Sequence, residues 1–429
     1  MGRKVNLQSL VRPNIWSLEP YRAARDDYSE GILLDANENS LGSAIQFSNQ
    51  AIPTRSNGDA TKEAPSKVDG DGFFVSTEGT AHPTDPDVHP NRYPDPHQTS
   101  LKQMIADYRK LPSPGPDHLF LGVGSDECID ILMRVFCAPG KDSILITPPT
   151  YGMYRTSAEI NDVKLVKVPL IVPGPGVPRE DIYQLDVPNI KAALRADPTI
   201  KLLILCSPGN PTATALRLSD IRELLHFEGW NGIVVVDEAY VDFVEGEGVG
   251  SVATWVAEYG NLVVSQTMSK AFGMAGVRLG LVVTDPSIAA ILNKTKAPYN
   301  ISSPTSILGR RAMSAEGIAR TQSQIATLTA NRTHLLGLLS ALPALLPPYS
   351  DSHANFVLVP VLTGPGGKPS SPRAKYIYKK LAEQMGVVIR YRGGEYGCEG
   401  CLRITVGDRT ENEQVVKQLA VVLSEDWKE

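Results

Sequence analysis

The chain has 429 residues, too many for one compact core, so its length points to two or three domains. An apolar fraction of 42%, a charged fraction of 21% and a formal charge of -5 describe an ordinary globular composition and exclude a polyanion-binding character. Five cysteines in so long a chain do not make a disulfide framework, and their odd number fits a reducing compartment.

The opening MGRKVNLQSLVRP has no long apolar core and no small-residue cleavage site, and Asn6 stands where a myristoylation signal would want Ser or Thr. A cytoplasmic protein is the expectation. Residues 1–40 read as an arm that ends in a short buried strand, ILLDANEN. Over residues 43–89 the composition turns to Gly, Ser, Asp and Lys, which predicts a flexible insert with no chemistry of its own.

From residue 90 to 305 the pattern becomes regular. After the amphipathic stretch QTSLKQMIADYRK come HLFLGV, SILITP, KLVKVPL, IKLLILCS, GIVVVDEAY, NLVVSQT and RLGLVVTD, short and nearly continuous apolar runs separated mostly by segments of helical length. Such runs predict a mostly parallel sheet covered by helices on both faces, with the loops at the strand C-termini gathered on one edge. Residues 306–429 read differently. A long helical stretch, the strand NFVLVPV, a helix through KYIYKKLAEQM, the strands VVIRY and LRITV and a terminal helix predict a smaller α+β domain. Cys398 and Cys401 have CxxC spacing, but no second ligand pair accompanies them and a strand follows, so they read as incidental thiols.

The residues that can carry chemistry fall at strand ends. Gly122-Val-Gly-Ser-Asp-Glu127 opens a helix after HLFLGV, and its N–H groups and dipole make an anion cup in which Ser125 or Asp126 is the expected N-cap. Asn210 sits between prolines in SPGNPT, where its amide is held rigid; an ordinary turn uses the same residues. Asp237 ends the apolar strand GIVVV and is costly to bury unless it meets a cation. Lys270 follows NLVVSQTMS and is flanked by Gly273, Ala275 and Gly276, a place where an amine is desolvated and made nucleophilic. Arg278 lies eight positions on.

The order phosphate cup, Asn, Asp-x-x-Tyr, Ser-Lys, Arg resembles the fold-type I aminotransferases that use pyridoxal 5'-phosphate (PLP). The strings LDANEN, RYPDP, GVGSDECID, PPTYGMY, VVDEAY, TMSKAFGMAGVRLG, PYNISSP, ANFVLV and CLRITVG, spread from Tyr21 to Asp408, are similar to the histidinol-phosphate aminotransferases in particular. One loop departs from that pattern: SPGNPTAT stands where NPNNPTG is usual, with Gly209 for an asparagine and Ala213 for a glycine.

The resemblance implies a three-layer α/β/α large domain with a smaller C-terminal domain, PLP as cofactor, and a homodimer with shared sites. It implies Lys270 as the Schiff-base lysine and proton carrier, Asp237 as partner of the pyridine nitrogen, and Asn210 and Tyr240 on the ring's phenolate oxygen. Tyr151 is implied to stack on the ring. Gly124, Ser125, Asp126, Ser269 and Arg278 are implied around the cofactor phosphate, joined by Tyr93 from the second subunit, and Thr267 is implied as a further cofactor contact. Arg403, Arg390, Tyr21 and Asn37 are implied as substrate contacts. The reaction implied is transfer of the amino group of L-histidinol phosphate to 2-oxoglutarate through pyridoxamine phosphate, giving 3-(imidazol-4-yl)-2-oxopropyl phosphate and L-glutamate. An aromatic amino-acid aminotransferase, or a PLP-dependent decarboxylase of a phosphorylated amino acid, remains open on the same scaffold.

Overall fold

The computed structural model describes residues 11–19, 24–28, 30–45, 92–425 and 427. In chain order its strands are β1 (Ile32–Leu33), β2 (Leu119–Val123), β3 (Ser143–Ile146), β4 (Lys164–Lys167), β5 (Ile200–Cys206), β6 (Ile233–Asp237), β7 (Leu262–Thr267) and β8 (Leu279–Thr284). After them come β9 (Phe356–Pro360), β10 (Val387–Val388), β11 (Arg390–Tyr391) and β12 (Cys401–Thr405). All seven apolar runs expected between residues 90 and 305 are strands of one sheet, ordered β2-β8-β7-β6-β5-β3-β4.

The apolar runs are continuous because both faces of this sheet are covered. Successive residues of each strand point to opposite sides. Thus Leu203, Leu205, Val234, Val236, Leu262 and Val264 join one core with Leu101, Ile105, Ile190, Leu194 and Ile221. Leu202, Ile204, Val235 and Val263 join another with Ile129, Leu132, Tyr154 and Leu292. Helices therefore flank the sheet on both sides, a three-layer α/β/α arrangement. Strands β3 to β7 are parallel, whereas β8 runs antiparallel to both β7 and β2. As a result the C-terminal ends of β2, β3, β5, β6 and β7 and the start of β8 share one edge.

The antiparallel sheet β11-β12-β9 forms a separate layer against the helices Ala315–Ser340 and Ser371–Gln384, and the helix Arg409–Leu423 packs on both of those helices. Strand β1 pairs in parallel with β10, Ile32 opposite Val387, which ties the N-terminal arm to this C-terminal part.

Three expectations change in detail. The helical stretch after Thr305 breaks at Met313, because Ser314 caps a new helix by accepting from the Gly317 N–H. The segment from 43 does not leave the fold at once: Ala44 is buried and its N–H donates to the Phe272 carbonyl at 2.9 Å. The rest of the insert, from 46 on, lies outside the described residues. The helix after β2 begins at Gly124 with Val123 as its N-cap, and neither Ser125 nor Asp126 takes that place. Glu127 reaches back to accept from the Val123 N–H at 2.6 Å, so both side chains are left in the first turn.

Candidate active site

The shared edge of the large sheet faces β11 and β12 across a cavity of about 250 Å³. Lys270, Asp237, Asn210, Tyr240, Ser125, Asp126, Tyr151, Thr267, Ser269, Arg278, Asn37, Arg390 and Arg403 all line it. Gly124 packs against Arg278, which lines it: a Cβ at Gly124 would overlap the Arg278 guanidinium, and the Gly124 φ of +74° suits glycine. Tyr93 is placed elsewhere, 81% exposed and stacked on Tyr299 with ring centroids 4.5 Å apart. Tyr21 lies outside the described residues.

Lys270 lies in the turn after β7, and its Nζ donates to the Ala36 carbonyl at 2.9 Å, so the arm supplies its contact. Desolvation, then the nearby Arg403 charge, lowers the amine to about 8. Asp237 ends β6, level with Cys206 on β5 and Ser265 on β7. Burial pushes its carboxyl up to about 6, although Tyr154 Oη donates to Oδ2 at 2.6 Å and the Ala239 N–H to Oδ1 at 3.2 Å. Burial outweighs these donors and the nearby Lys270 charge, so ionising Asp237 costs on the order of 3 kcal/mol, taking the shift at 1.36 kcal/mol per unit.

Asn210 Oδ1 accepts from Arg403 Nη1 at 2.7 Å, which leaves the amide NH2 as the end free to donate. Asn37 Nδ2 donates to Tyr240 Oη at 3.0 Å, while its Oδ1 accepts from Thr405 Oγ1 at 3.1 Å. Tyr240 is thereby held from the arm and from β12 at once; burial raises its phenol to about 12. At the helix N-terminus, Arg278 lies 3.5 Å from Asp126, whose other oxygen accepts from Tyr151 Oη at 3.1 Å. Thr267 Oγ1 donates to Ser269 Oγ at 2.9 Å and accepts from the Ser269 N–H at 3.2 Å.

In the departing loop, a Cβ at Gly209 would overlap the Thr212 hydroxyl, and Ala213 adopts the left-handed φ of +61° that glycine usually supplies. Asn210 keeps its place in the cavity.

Sequence reasoning missed Tyr154 and Arg392. Tyr154 stands three residues after Tyr151, on the same side of a helical turn, and that spacing in PPTYGMY was the available signal. Arg392 is alternate to Arg390 in RYR, on one side of an extended chain.

The parts match the needs of PLP. A lowered lysine amine is what imine chemistry requires, and a buried carboxylate with its pKa pushed up calls for a cationic partner such as a ring N–H. Beside the helix N-terminus and Arg278, the glycine cradle suits a phosphate. A doubly covered sheet with these groups on its C-terminal edge defines the class of fold-type I PLP enzymes.

The Aminotransferase class I and II family profile matches residues 87–419. Histidinol-phosphate aminotransferase of Schizosaccharomyces pombe is 44% identical over 426 residues, covering 98% of both chains. The enzyme of the same name from Saccharomyces cerevisiae is 40% identical over 425 residues, covering 96% of each. In fold, the chain superposes on histidinol-phosphate aminotransferase from Sinorhizobium meliloti in complex with pyridoxal-5'-phosphate, with a TM-score of 0.72 at 19% identity over 97% of this chain and 98% of that one. The chain belongs to the class I and II aminotransferases and, within them, to the histidinol-phosphate aminotransferases. Its cofactor is PLP.

Proposed function

We propose that the chain transfers the amino group of L-histidinol phosphate to 2-oxoglutarate in two half-reactions. The observation that carries this reading is the register of β11 on β12. Arg390 pairs with Arg403, so two guanidinium groups meet on the cavity wall that faces Lys270. A phosphate monoester brings nearly two charges and three acceptor oxygens, and it rewards more than one arginine.

When bound, PLP would supply an electron sink for the substrate's Cα as a proton leaves it. Lys270 would take up and return that proton, a task for which an amine near 8 is well matched. Asp237, oriented by Tyr154, would hold the pyridine N–H. Asn210 and Tyr240 would donate to the phenolate oxygen, and Tyr151 would pack against the ring. Gly124, Ser125, Asp126, Ser269 and Arg278 would hold the cofactor phosphate, with Thr267 as a further cofactor contact. Arg403, backed by Asn210, clamps the anionic end of either substrate, with Arg390, Asn37 and Tyr21 serving the donor.

The two half-reactions separate these roles. Arg390→Ala is expected to slow the half-reaction with histidinol phosphate by ~10–100-fold, the value of one charged hydrogen bond, and to leave that with glutamate nearly intact. Arg403→Ala is expected to impair both. Single-turnover rates decide the matter, and equal losses in Arg390→Ala would count against this donor.

The same reading divides the chain into an arm (1–40), an insert (43–89), a large PLP-binding unit (90–305) and a small unit (306–429), working as a cytoplasmic homodimer. No helix among the described residues is long and apolar enough to cross a membrane. Tyr93 supports the dimer, since an aromatic side chain 81% exposed and outside its own cavity is available to a second subunit. Mixing Tyr93→Phe chains with Lys270→Ala chains is expected to restore activity through hybrid dimers that hold one intact site. An active monomer in light scattering would contradict it.

A further inference from the structure

The antiparallel pairing of β11 with β12 continues one step past Tyr391, where the Arg392 N–H donates to the Cys401 carbonyl at 2.9 Å. Extended backbone turns alternate side chains to the same side, so Arg392 joins Arg390 there, and Arg403 lies opposite Arg390. All three line the cavity that holds Lys270.

Arg392 is held in place by Glu395, Nη1 to Oε1 at 2.8 Å, with 21% of its side chain exposed. Its Nε is buried and makes no hydrogen bond among the described residues; the same is true of Arg403 Nε. The other two nitrogens of Arg403 are occupied, Nη1 by Asn210 and Nη2 by the Asp35 carbonyl. Among the described residues no carboxylate forms an ion pair with Arg403.

Burial and, next, the charge of Arg392 depress the Arg403 guanidinium to about 9, which leaves it charged at neutral pH. Two guanidinium groups in one cavity, each with a buried N–H unmatched, are costly until an anion enters between them. A carboxylate brings two oxygens and one charge, and the unmatched Nε of Arg403 is the donor that meets that charge. The third oxygen and second charge of a phosphate monoester need a further donor.

We propose that Arg392 is a specificity-determining residue, steadied by Glu395, whose Nε edge contacts the phosphate of the amino donor together with Arg403 and favours phosphate over carboxylate substrates. The proposal rests on the donor assignment above.

The test uses the holoenzyme and two variants, Arg392→Gln and Arg392→Lys. In Arg392→Gln the Kd for histidinol phosphate, and the inhibition constant of inorganic phosphate against the glutamate half-reaction, are expected to rise ~10–100-fold. The glutamate half-reaction rate and the cofactor content are expected to stay within about twofold of wild type, because glutamate brings no third oxygen. Arg392→Lys, which keeps the charge without the fork, is expected to fall between the two. An unchanged Kd for histidinol phosphate in Arg392→Gln, or an equal loss with glutamate, overturns the proposal. Should Arg392→Gln fail to fold, wild-type constants in Arg392→Lys overturn it as well. A wild-type enzyme that does not react with histidinol phosphate overturns the donor assignment and this proposal together, whereas an active wild type with unaffected variants overturns this proposal alone.

Discussion

Lys270→Ala is expected to take up PLP and yet lose nearly all turnover, the proton transfer alone slowing by ~10²–10⁴-fold. Lys270 is the lysine that lines the cavity at the end of β7, and its amine reaches across to the Ala36 carbonyl. The phosphate cup around Gly124 and Arg278 and the carboxylate of Asp237 are untouched by the substitution, so uptake persists. Borohydride reduction and peptide mapping check the assignment: wild type carries the pyridoxyl group on Lys270, the variant carries none, and label on another lysine would refute it.

Stability moves the other way. The folded amine titrates near 8, below the usual lysine range, so the fold disfavours its protonated form. That penalty sets in as pH falls from ~10.4 toward about 8, is complete below, and amounts to at most about 3 kcal/mol. Cofactor-free Lys270→Ala is therefore expected to melt higher than cofactor-free wild type at pH 7, as a strained functional group predicts.

Asp237→Asn is the second large effect. Its carboxyl lines the cavity at the end of β6, where it is placed to hold a cation, and losing a preorganised charge of this kind costs ~10²–10³ in rate. The carboxyl is raised to about 6, so in the cofactor-free protein its ionisation opposes folding increasingly as pH climbs from ~3.9 through 6. Cofactor-free Asp237→Asn should thus gain thermal stability over wild type above pH 6 and show no such gain at pH 4. Melting curves at the two pH values, set beside turnover, check both halves. A variant as active as wild type would remove Asp237 from the chemistry.

The strands of the large sheet were legible because burial on both faces forces unbroken apolar runs, and Asp237, Lys270 and Arg278 stand out where those runs stop. Contacts between distant segments were not legible. Nothing local links Arg403 to Asn210, 193 residues apart, or Lys270 to Ala36. The cap at Val123 was misread because a serine and an aspartate in the first turn look like N-caps until Glu127 is seen to reach back. Tyr154 was hidden by its neighbour Tyr151, since a tyrosine at helical spacing reads as core until its hydroxyl is found on Asp237. Arg392 was passed over because RYR shows two arginines whose common side becomes visible only with β12 alongside.

The most direct test of the central claim is the absorbance of the cofactor in the purified enzyme. Adding histidinol phosphate alone is expected to abolish the yellow band, and adding 2-oxoglutarate afterwards to restore it, one equivalent of glutamate appearing per site. Retention of the band with histidinol phosphate, or release of carbon dioxide from a phosphorylated amino acid in place of amino transfer, would contradict the account.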